Sequence, residues 1–144
     1  MPDPLTGSRN RKSSSLRGRV VKGDGLGRKL GFPTANIALA PSSLPPFGVY
    51  IVKLRSPLRG RFALASVGLR PTLRKKTAPR LEIHIPDFSG DLYGRVLVFE
   101  ILLKLREEKK FRSLQALQAA IKRDLRRFRS MPRNRAFYWK SKGD

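Results

Sequence analysis

The sequence predicts a mostly β domain, a closed or nearly closed antiparallel barrel, followed by one amphipathic helix. Between residues 16 and 106, short runs rich in Val, Ile and aromatic residues alternate with Gly, Pro and Ser, which is typical of strands joined by turns. After residue 113 the apolar spacing changes to that of a helix. With 144 residues, 40% of them hydrophobic, the chain is long enough for one domain with a single core.

The strands are predicted from runs in which β-branched and aromatic residues are frequent. Five runs lie at 16–23, 48–55, 60–68, 80–86 and 94–106. The segment "PTANIAL", residues 33–39, is a candidate for a sixth strand. The segment "SPLRG", residues 56–60, is typical of a tight hairpin connection.

The helix is predicted from apolar residues spaced three or four apart. They are Leu114, Leu117, Ile121, Leu125 and Phe128, and the polar residues of the opposite face are Gln115, Gln118, Lys122, Arg126 and Arg129. Ser113 stands where an N-cap belongs. We therefore expect a helix from 114 to about 129 that packs against the barrel.

The two ends of the chain differ from its middle. Residues 1–15 are rich in Ser, Pro, Arg and Lys without periodicity and are expected to form a flexible basic leader. Residues 16–129 form the barrel with its helix, and residues 130–144 form an irregular basic tail. The aromatic cluster at 137–139 is unusual for a disordered end, and we expect it to dock on the body of the domain or to mark a partner site.

The composition excludes several classes of protein. The sequence has no cysteine, which excludes disulfides and thiolate metal sites. Its first residues have no apolar segment of the kind found in signal peptides. The longest apolar run, "VLVFEILL", contains Glu100 and is too short to span a bilayer. We expect a cytoplasmic monomer that has no membrane association.

The formal net charge of +22 favours anionic partners such as phosphates, nucleic acid or anionic lipid. A solvated basic surface explains the same number. The sequence has no stacked-aromatic signature of an RNA-recognition motif, so nucleic acid is expected only as a nonspecific electrostatic partner.

The segment "GDGLGRKLGFPTAN", residues 23–36, combines four glycines with basic residues. Glycines let a ligand approach backbone N–H groups, so the loop is a candidate phosphate cradle. It lacks the P-loop pattern, and no βαβ unit follows it, as a dinucleotide fingerprint would require. A flexible hairpin is the alternative.

The end of that loop carries two neutral oxygens at alternate positions. Pro33 stiffens the backbone, and Thr34 and Asn36 then project to the same side of an extended chain. Such oxygens suit Mg²⁺ when substrate phosphates and water supply the remaining ligands. The alternative is that both side chains satisfy local turn hydrogen bonds.

In "RLEIHIP" the residues Glu82 and His84 alternate with the apolar residues of the strand and face away from the core. A carboxylate near a phosphate cradle is a candidate general base. A solvated surface carboxylate is the alternative for Glu82, and a hydrogen-bonding role is expected for His84.

Two further segments are rich in basic residues. In "LREEKKFRSL", residues 105–114, Arg106, Lys109 and Lys110 flank Phe111, a set that can hold a flat ring and an anionic group, although Phe111 in the core is the alternative. The segment 67–80 is expected to be a mobile loop that closes over phosphates.

Taken together, these segments resemble the riboflavin kinase family, whose module in bacteria is usually one half of a bifunctional kinase and adenylyltransferase. The matching stretches are "GRVVKGDGLGRKLGFPTAN", "GVY", "VGLRPTL", "LEIHIPDFSGDLYG" and "LREEKKFRSLQAL", in the family's order. The resemblance implies a six-stranded antiparallel barrel of Greek-key type with a C-terminal helix. It also implies transfer of the γ-phosphoryl group of ATP to the 5′-hydroxyl of riboflavin.

The resemblance also implies roles for individual residues. Thr34 and Asn36 would hold Mg²⁺ and Glu82 would be the catalytic base. The ATP site would comprise Lys22, Gly23, Gly27, Arg28, Pro33 and Thr34, and the flavin site Arg106, Lys109 and Phe111.

The sequence departs from the family at two points. Ser66 stands where the family usually has Asn, and His84 is the only histidine, so the histidine motif of the adenylyltransferase half is absent from these residues. We therefore expect a riboflavin kinase that does not make FAD. A barrel that has lost turnover and binds flavin, nucleotide or nucleic acid is the alternative.

Overall fold

The computed structural model describes residues 15–69 and 79–132, which form six strands, a short helix and a long helix. The strands are β1 Ser15–Val21, β2 Ala35–Ala38, β3 Gly48–Ser56, β4 Phe62–Leu69, β5 Pro79–His84 and β6 Val96–Arg106. The helices are α1 Leu26–Lys29 and α2 Leu114–Ser130, and one 3-10 turn covers Pro41–Ser43. All six predicted strands are therefore present.

The strands close into a barrel in the order β1-β2-β5-β4-β3-β6, and every neighbouring pair is antiparallel. The predicted six-stranded antiparallel barrel with a C-terminal helix is thus confirmed. Strands β2 and β3 follow one another in the chain but are not neighbours in the barrel. Because β2 pairs instead with β5, the end of the glycine-rich loop lies beside the strand that carries Glu82.

Alternate residues of each strand fill the barrel interior. Leu81 and Ile83 are almost completely buried there, together with Phe99 and Leu97. Glu82 lies between two inward-facing residues and therefore faces the outer wall.

The helix α2 covers the outer side of β3, β4 and β6. Phe128 packs there in a second apolar cluster with Val49, Ile51, Leu64 and Leu105. The predicted N-cap is confirmed, because the Ser113 side chain accepts a hydrogen bond from Ala116 N at 3.1 Å. The helix ends at Ser130, within one residue of the prediction.

The predicted division of α2 into an apolar face and a polar face was wrong at two positions, Leu114 and Gln118. Leu114 is 54% exposed, and the buried positions of α2 are Ala120, Asp124 and Phe128. Gln118 was assigned to the solvent face, yet it is half-buried and its amide donates to Leu30 O at 2.9 Å. The reason is that α2 also packs beside the glycine-rich loop, which the helical period alone does not reveal.

The hairpin predicted at 56–60 connects β3 and β4, where Gly60 N donates to Leu54 O at 2.8 Å and Gly60 has a φ of 89°. Within the described ranges, no helix is long and apolar enough to cross a membrane. The proposed leader up to residue 14, the middle of the proposed closing loop at 70–78 and the tail from 133 onward, with its aromatic cluster, lie outside the described residues.

Candidate functional site

Two strand pairings place polar side chains around Glu82. In the ladder between β2 and β5, Asn36 stands opposite Glu82, and in the ladder between β4 and β5, Ser66 stands opposite Glu82. Glu82 is only 7% exposed although it faces the outer wall. The solvated-carboxylate alternative for Glu82 is therefore wrong.

Thr34, just before β2, forms a direct hydrogen bond with this carboxylate. Its hydroxyl donates to Glu82 Oε1 at 3.0 Å. Thr34 and Asn36 are two residues apart on nearly extended chain, so both side chains are directed to the same side. The Thr34 hydroxyl is thus used across the sheet and not in a local turn.

Asn36 carries an unusual oxygen. Its Oδ1 is buried and has no hydrogen-bond partner among the described residues. A buried, unpaired polar atom costs about 1–3 kcal/mol, so such atoms are rare and call for an explanation. A buried, unpaired oxygen beside a carboxylate and a hydroxyl is a suitable ligand for a hard cation such as Mg²⁺.

The glycine-rich loop lies directly against this asparagine. A Cβ at Gly23 would overlap the Asn36 side-chain amide, so only glycine fits there without displacement. Gly25 has a φ of 73°, which glycine adopts without strain, and Asp24 Oδ1 accepts from Leu26 N at 3.0 Å to begin α1. The loop therefore forms a defined turn with one short helix. It is not the flexible hairpin that the sequence analysis gave as the alternative.

The residues that were predicted to bind ATP lie at different positions along this loop and make different contacts. Gly27 packs against the carbonyl of Phe32, because a Cβ there would overlap that oxygen. His84 Nδ1 forms a hydrogen bond with Pro33 O at 2.8 Å, so His84 has the expected hydrogen-bonding role. Lys22 and Arg28 are exposed, and Lys22 Nζ lies 5.9 Å from the Tyr93 ring centroid.

A second cluster forms where β6 meets α2. Arg106 donates through Nε and Nη2 to the two carboxylate oxygens of Asp124, at 2.8 and 2.9 Å, and through Nη1 to Glu107 O at 3.1 Å. Its guanidinium carbon lies 5.8 Å from the Phe111 ring centroid. Lys109 is exposed and joins neither contact.

Asp124 was missed by sequence reasoning. It is 6% exposed and pairs in a fork-to-fork geometry that fixes the plane of the Arg106 guanidinium. The signal was present, because Asp124 stands between Ile121 and Phe128 on the apolar side of the predicted helix. A buried carboxylate requires a cationic partner, and that requirement could have identified it.

The two clusters are linked through β4 and through α2. Glu108 Oε2 accepts from Leu69 N at 3.2 Å, and its carboxylate packs so closely on Gly68 that a Cβ there would overlap it. Ser66, opposite Glu82, is two residues earlier on the same strand. Along α2, Gln118 holds the loop end at Leu30 and Asp124 holds Arg106.

The structure therefore joins Gly23, Thr34, Asn36 and Glu82 in one site and Arg106 with Phe111 in another. The fold and site define the class of protein as a closed six-stranded antiparallel barrel that carries a sheltered carboxylate and two neutral oxygens on its outer wall. The chain belongs to the riboflavin kinase family, whose model, described as "Riboflavin kinase", matches residues 10–131.

Among curated relatives, the bifunctional riboflavin kinase/FMN adenylyltransferase of Pseudomonas fluorescens is 41% identical over 116 residues, covering 81% of this chain and 37% of that protein. The RNA-binding riboflavin kinase RibR of Bacillus subtilis is 41% identical over 110 residues, covering 76% of this chain and 47% of that protein. The chain thus spans between about a third and a half of the length of these relatives.

Two solved structures are similar. A riboflavin kinase from Trypanosoma brucei is 29% identical with a TM-score of 0.56, covering 89% of this chain and 85% of that one. A structure titled as a macrolide-efflux protein from Streptococcus pneumoniae is 34% identical with a TM-score of 0.69, covering 82% of this chain and 39% of that one.

Proposed function

We propose that the domain transfers the γ-phosphoryl group of ATP to the 5′-hydroxyl of riboflavin, giving FMN and ADP. The observation that carries this proposal is the junction of Glu82 with Thr34 and Asn36 across β2 and β5. It places a sheltered carboxylate beside two neutral oxygens. Family membership supplies the substrates.

Glu82 is the group that orients the acceptor alcohol and takes its proton. The alcohol oxygen attacks the γ-phosphorus, the bond between that phosphorus and the bridging oxygen breaks, and ADP leaves. Phosphoryl transfer requires alignment and charge neutralisation more than covalent chemistry from the protein. The hydrogen bond from Thr34 fixes one carboxylate oxygen and so holds the carboxylate in position for the acceptor alcohol.

Thr34 and Asn36 are the residues that would hold Mg²⁺. The buried, unpaired Oδ1 of Asn36 supports this assignment, because a cation would satisfy it. When bound with ATP, Mg²⁺ neutralises charge on the phosphates.

The ATP phosphates would lie against the loop from Lys22 to Pro33, because close packing of Gly23 on Asn36 and of Gly27 on Phe32 and Thr34 holds the loop backbone beside the proposed metal ligands. Lys22 and Arg28 are exposed and free to approach them. The flavin would lie beside Phe111 and Arg106, with Lys109 at the edge, since an aromatic ring and a guanidinium suit a flat, polar ring system.

The alternative is a barrel that binds flavin, nucleotide or nucleic acid without turnover. Two observations favour it: the net charge of +22 and the name of the B. subtilis relative, an RNA-binding riboflavin kinase. The kinase activity is favoured over this alternative because the chain has Thr34, Asn36 and Glu82 together in one site.

One assay separates the two. The protein is incubated with riboflavin and ATP, with Mg²⁺ or with a chelator in its place, and flavins are resolved by chromatography. We expect FMN to accumulate only with Mg²⁺, and no FAD to form. Flavin and nucleotide binding without FMN would support the alternative and overturn the proposed activity.

A further inference from the structure

The outward face of α2 is a surface that the proposed activity does not use. The helix contains five basic residues and one acidic residue, and the acidic one, Asp124, is buried against the barrel in its pair with Arg106. The solvent side of α2 therefore carries positive charge only.

Three of the five basic residues have no partner among residues 15–69 and 79–132. Arg127 donates to Leu105 O and Arg129 pairs with Asp87. Lys122, Arg123 and Arg126 are exposed and make no hydrogen bond or ion pair with any described part of the chain. These three residues are here named the cationic face of α2.

The helical geometry brings these charges together. Lys122 and Arg126 are four residues apart and lie one above the other, and Arg123 is three residues before Arg126. The three charges of the cationic face therefore cover about 6 Å along the axis at 1.5 Å per residue. Like charges at these spacings repel one another, and an anionic ligand bound along them would relieve that repulsion.

We propose that the cationic face of α2 binds the phosphodiester backbone of nucleic acid. Lysine and arginine side chains that neutralise successive phosphates supply the sequence-independent part of such binding. The face carries no aromatic residue on which a base could stack, so it recognises charge and not sequence.

A membrane surface fits this face less well. A helix that lies in a bilayer interface turns an apolar side toward the lipid. The apolar side of α2 packs on β3, β4 and β6 through Phe128 and its neighbours, and its one exposed large apolar residue, Leu114, lies at the N-terminal end.

The test compares two triple variants that lose the same charge. One is Lys122→Ala, Arg123→Ala, Arg126→Ala on α2. The control is Arg17→Ala, Arg59→Ala, Arg95→Ala, which removes three exposed residues that likewise have no side-chain partner in the described ranges. Binding of a short fluorescein-labelled single-stranded RNA of mixed sequence is followed by anisotropy over a range of salt concentrations.

We expect the α2 variant to bind the RNA at least about tenfold more weakly at low salt. The slope of log K against log salt should fall by about 2, since each lost phosphate contact on a single strand accounts for about 0.7. The control should keep most of the wild-type slope. Both variants should form FMN as the wild type does, because none of these residues belongs to the proposed site.

Three outcomes overturn the proposal. Equal losses in the two variants would show that the charge acts diffusely. Absence of RNA binding by the wild type at low salt would remove the partner. Binding to phosphatidylserine vesicles that depends on the cationic face, without RNA binding, would assign the surface to a membrane. FMN formation is measured separately, so a failure here leaves the proposed activity untouched.

Discussion

Thr34 and Glu82 are separated by 48 residues in the chain and share a hydrogen bond 3.0 Å long between Oγ1 and Oε1. The bond exists because β2 pairs with β5 and not with β3, its successor in the chain. The site is therefore a product of barrel closure. A change that loosens the β2–β5 edge would separate the proposed metal ligands from the proposed base.

Asn36→Ala should weaken binding of Mg²⁺–ATP by about tenfold or more, since a liganding oxygen is lost, and leave riboflavin binding unchanged. The same substitution removes a buried, unpaired oxygen, so the free energy of unfolding should stay the same or rise by about 1 kcal/mol. Calorimetry with each ligand and urea unfolding measure the two effects. Equal losses for both ligands would count against the metal role.

Gln118→Leu should raise the KM for ATP several-fold and leave the KM for riboflavin unchanged. The substitution removes the hydrogen bond that holds Leu30 O and with it the end of the glycine-rich loop, a contact of about 1 kcal/mol. Steady-state kinetics with each substrate varied in turn measure the split. Gln115→Leu, an exposed position on the same helix, is the matched control and should change neither KM. A similar rise for both substrates would show that α2 as a whole had been disturbed.

Asp124→Asn should lower the free energy of unfolding by about 2–3 kcal/mol. Breaking a buried ion pair costs about 3–5 kcal/mol because one charge is left unpaired, and the partial exposure of Arg106, 21% for its side chain, reduces that cost. The released guanidinium should also weaken riboflavin binding more than ADP binding. Urea unfolding and the two binding titrations measure these effects. A loss of less than about 1 kcal/mol would contradict the assigned role of the pair.

Stability should fall at alkaline pH because of Tyr50. Burial raises the pKa of its hydroxyl above the ordinary value of 10.0, Lys104 opposes the rise and Glu107 adds to it. The folded protein thus holds this proton more tightly than the unfolded chain. The resulting stabilisation is complete below pH 10 and is lost as the pH rises through the higher pKa of the folded state.

The variant Tyr50→Phe isolates this effect. It should be less stable than the wild type by about 1 kcal/mol near neutral pH, since the bond from the hydroxyl to Pro46 O is lost. The difference should shrink above pH 10, where the wild type loses its advantage. Urea unfolding of both proteins across this range is the measurement, and parallel pH profiles would contradict the assignment.

Much of the fold was predictable because its signals are local. Strand positions followed from β-branched runs between turn residues, and α2 followed from its period and from Ser113 as N-cap. The short helix α1 was not predicted, since its four residues, LGRK, are too few to show a helical period. The number of strands and the Greek-key type of the barrel came from the family resemblance, and the order of the strands was not predicted, because pairings between distant segments leave no local pattern.

The candidate site was predictable only in part. The alternation around Glu82 and the two-residue spacing of Thr34 and Asn36 indicated which way these side chains face. The shelter of Glu82 and the placing of Ser66 opposite it depend on which strands are neighbours. The partner of Arg106, Asp124, lies 18 residues further along the chain on another element, and only the packing of α2 on the barrel brings the two together.

The most direct test of the account is the single-turnover rate of FMN formation in Glu82→Gln. The glutamine carbonyl can still accept the hydrogen bond from Thr34, so the site keeps its shape while the base is lost. We expect the rate to fall by about 10²–10⁴-fold while the affinity for Mg²⁺–ADP changes by less than about threefold. A variant that forms FMN within about tenfold of the wild-type rate would contradict the role of Glu82 as the base and with it the proposed mechanism.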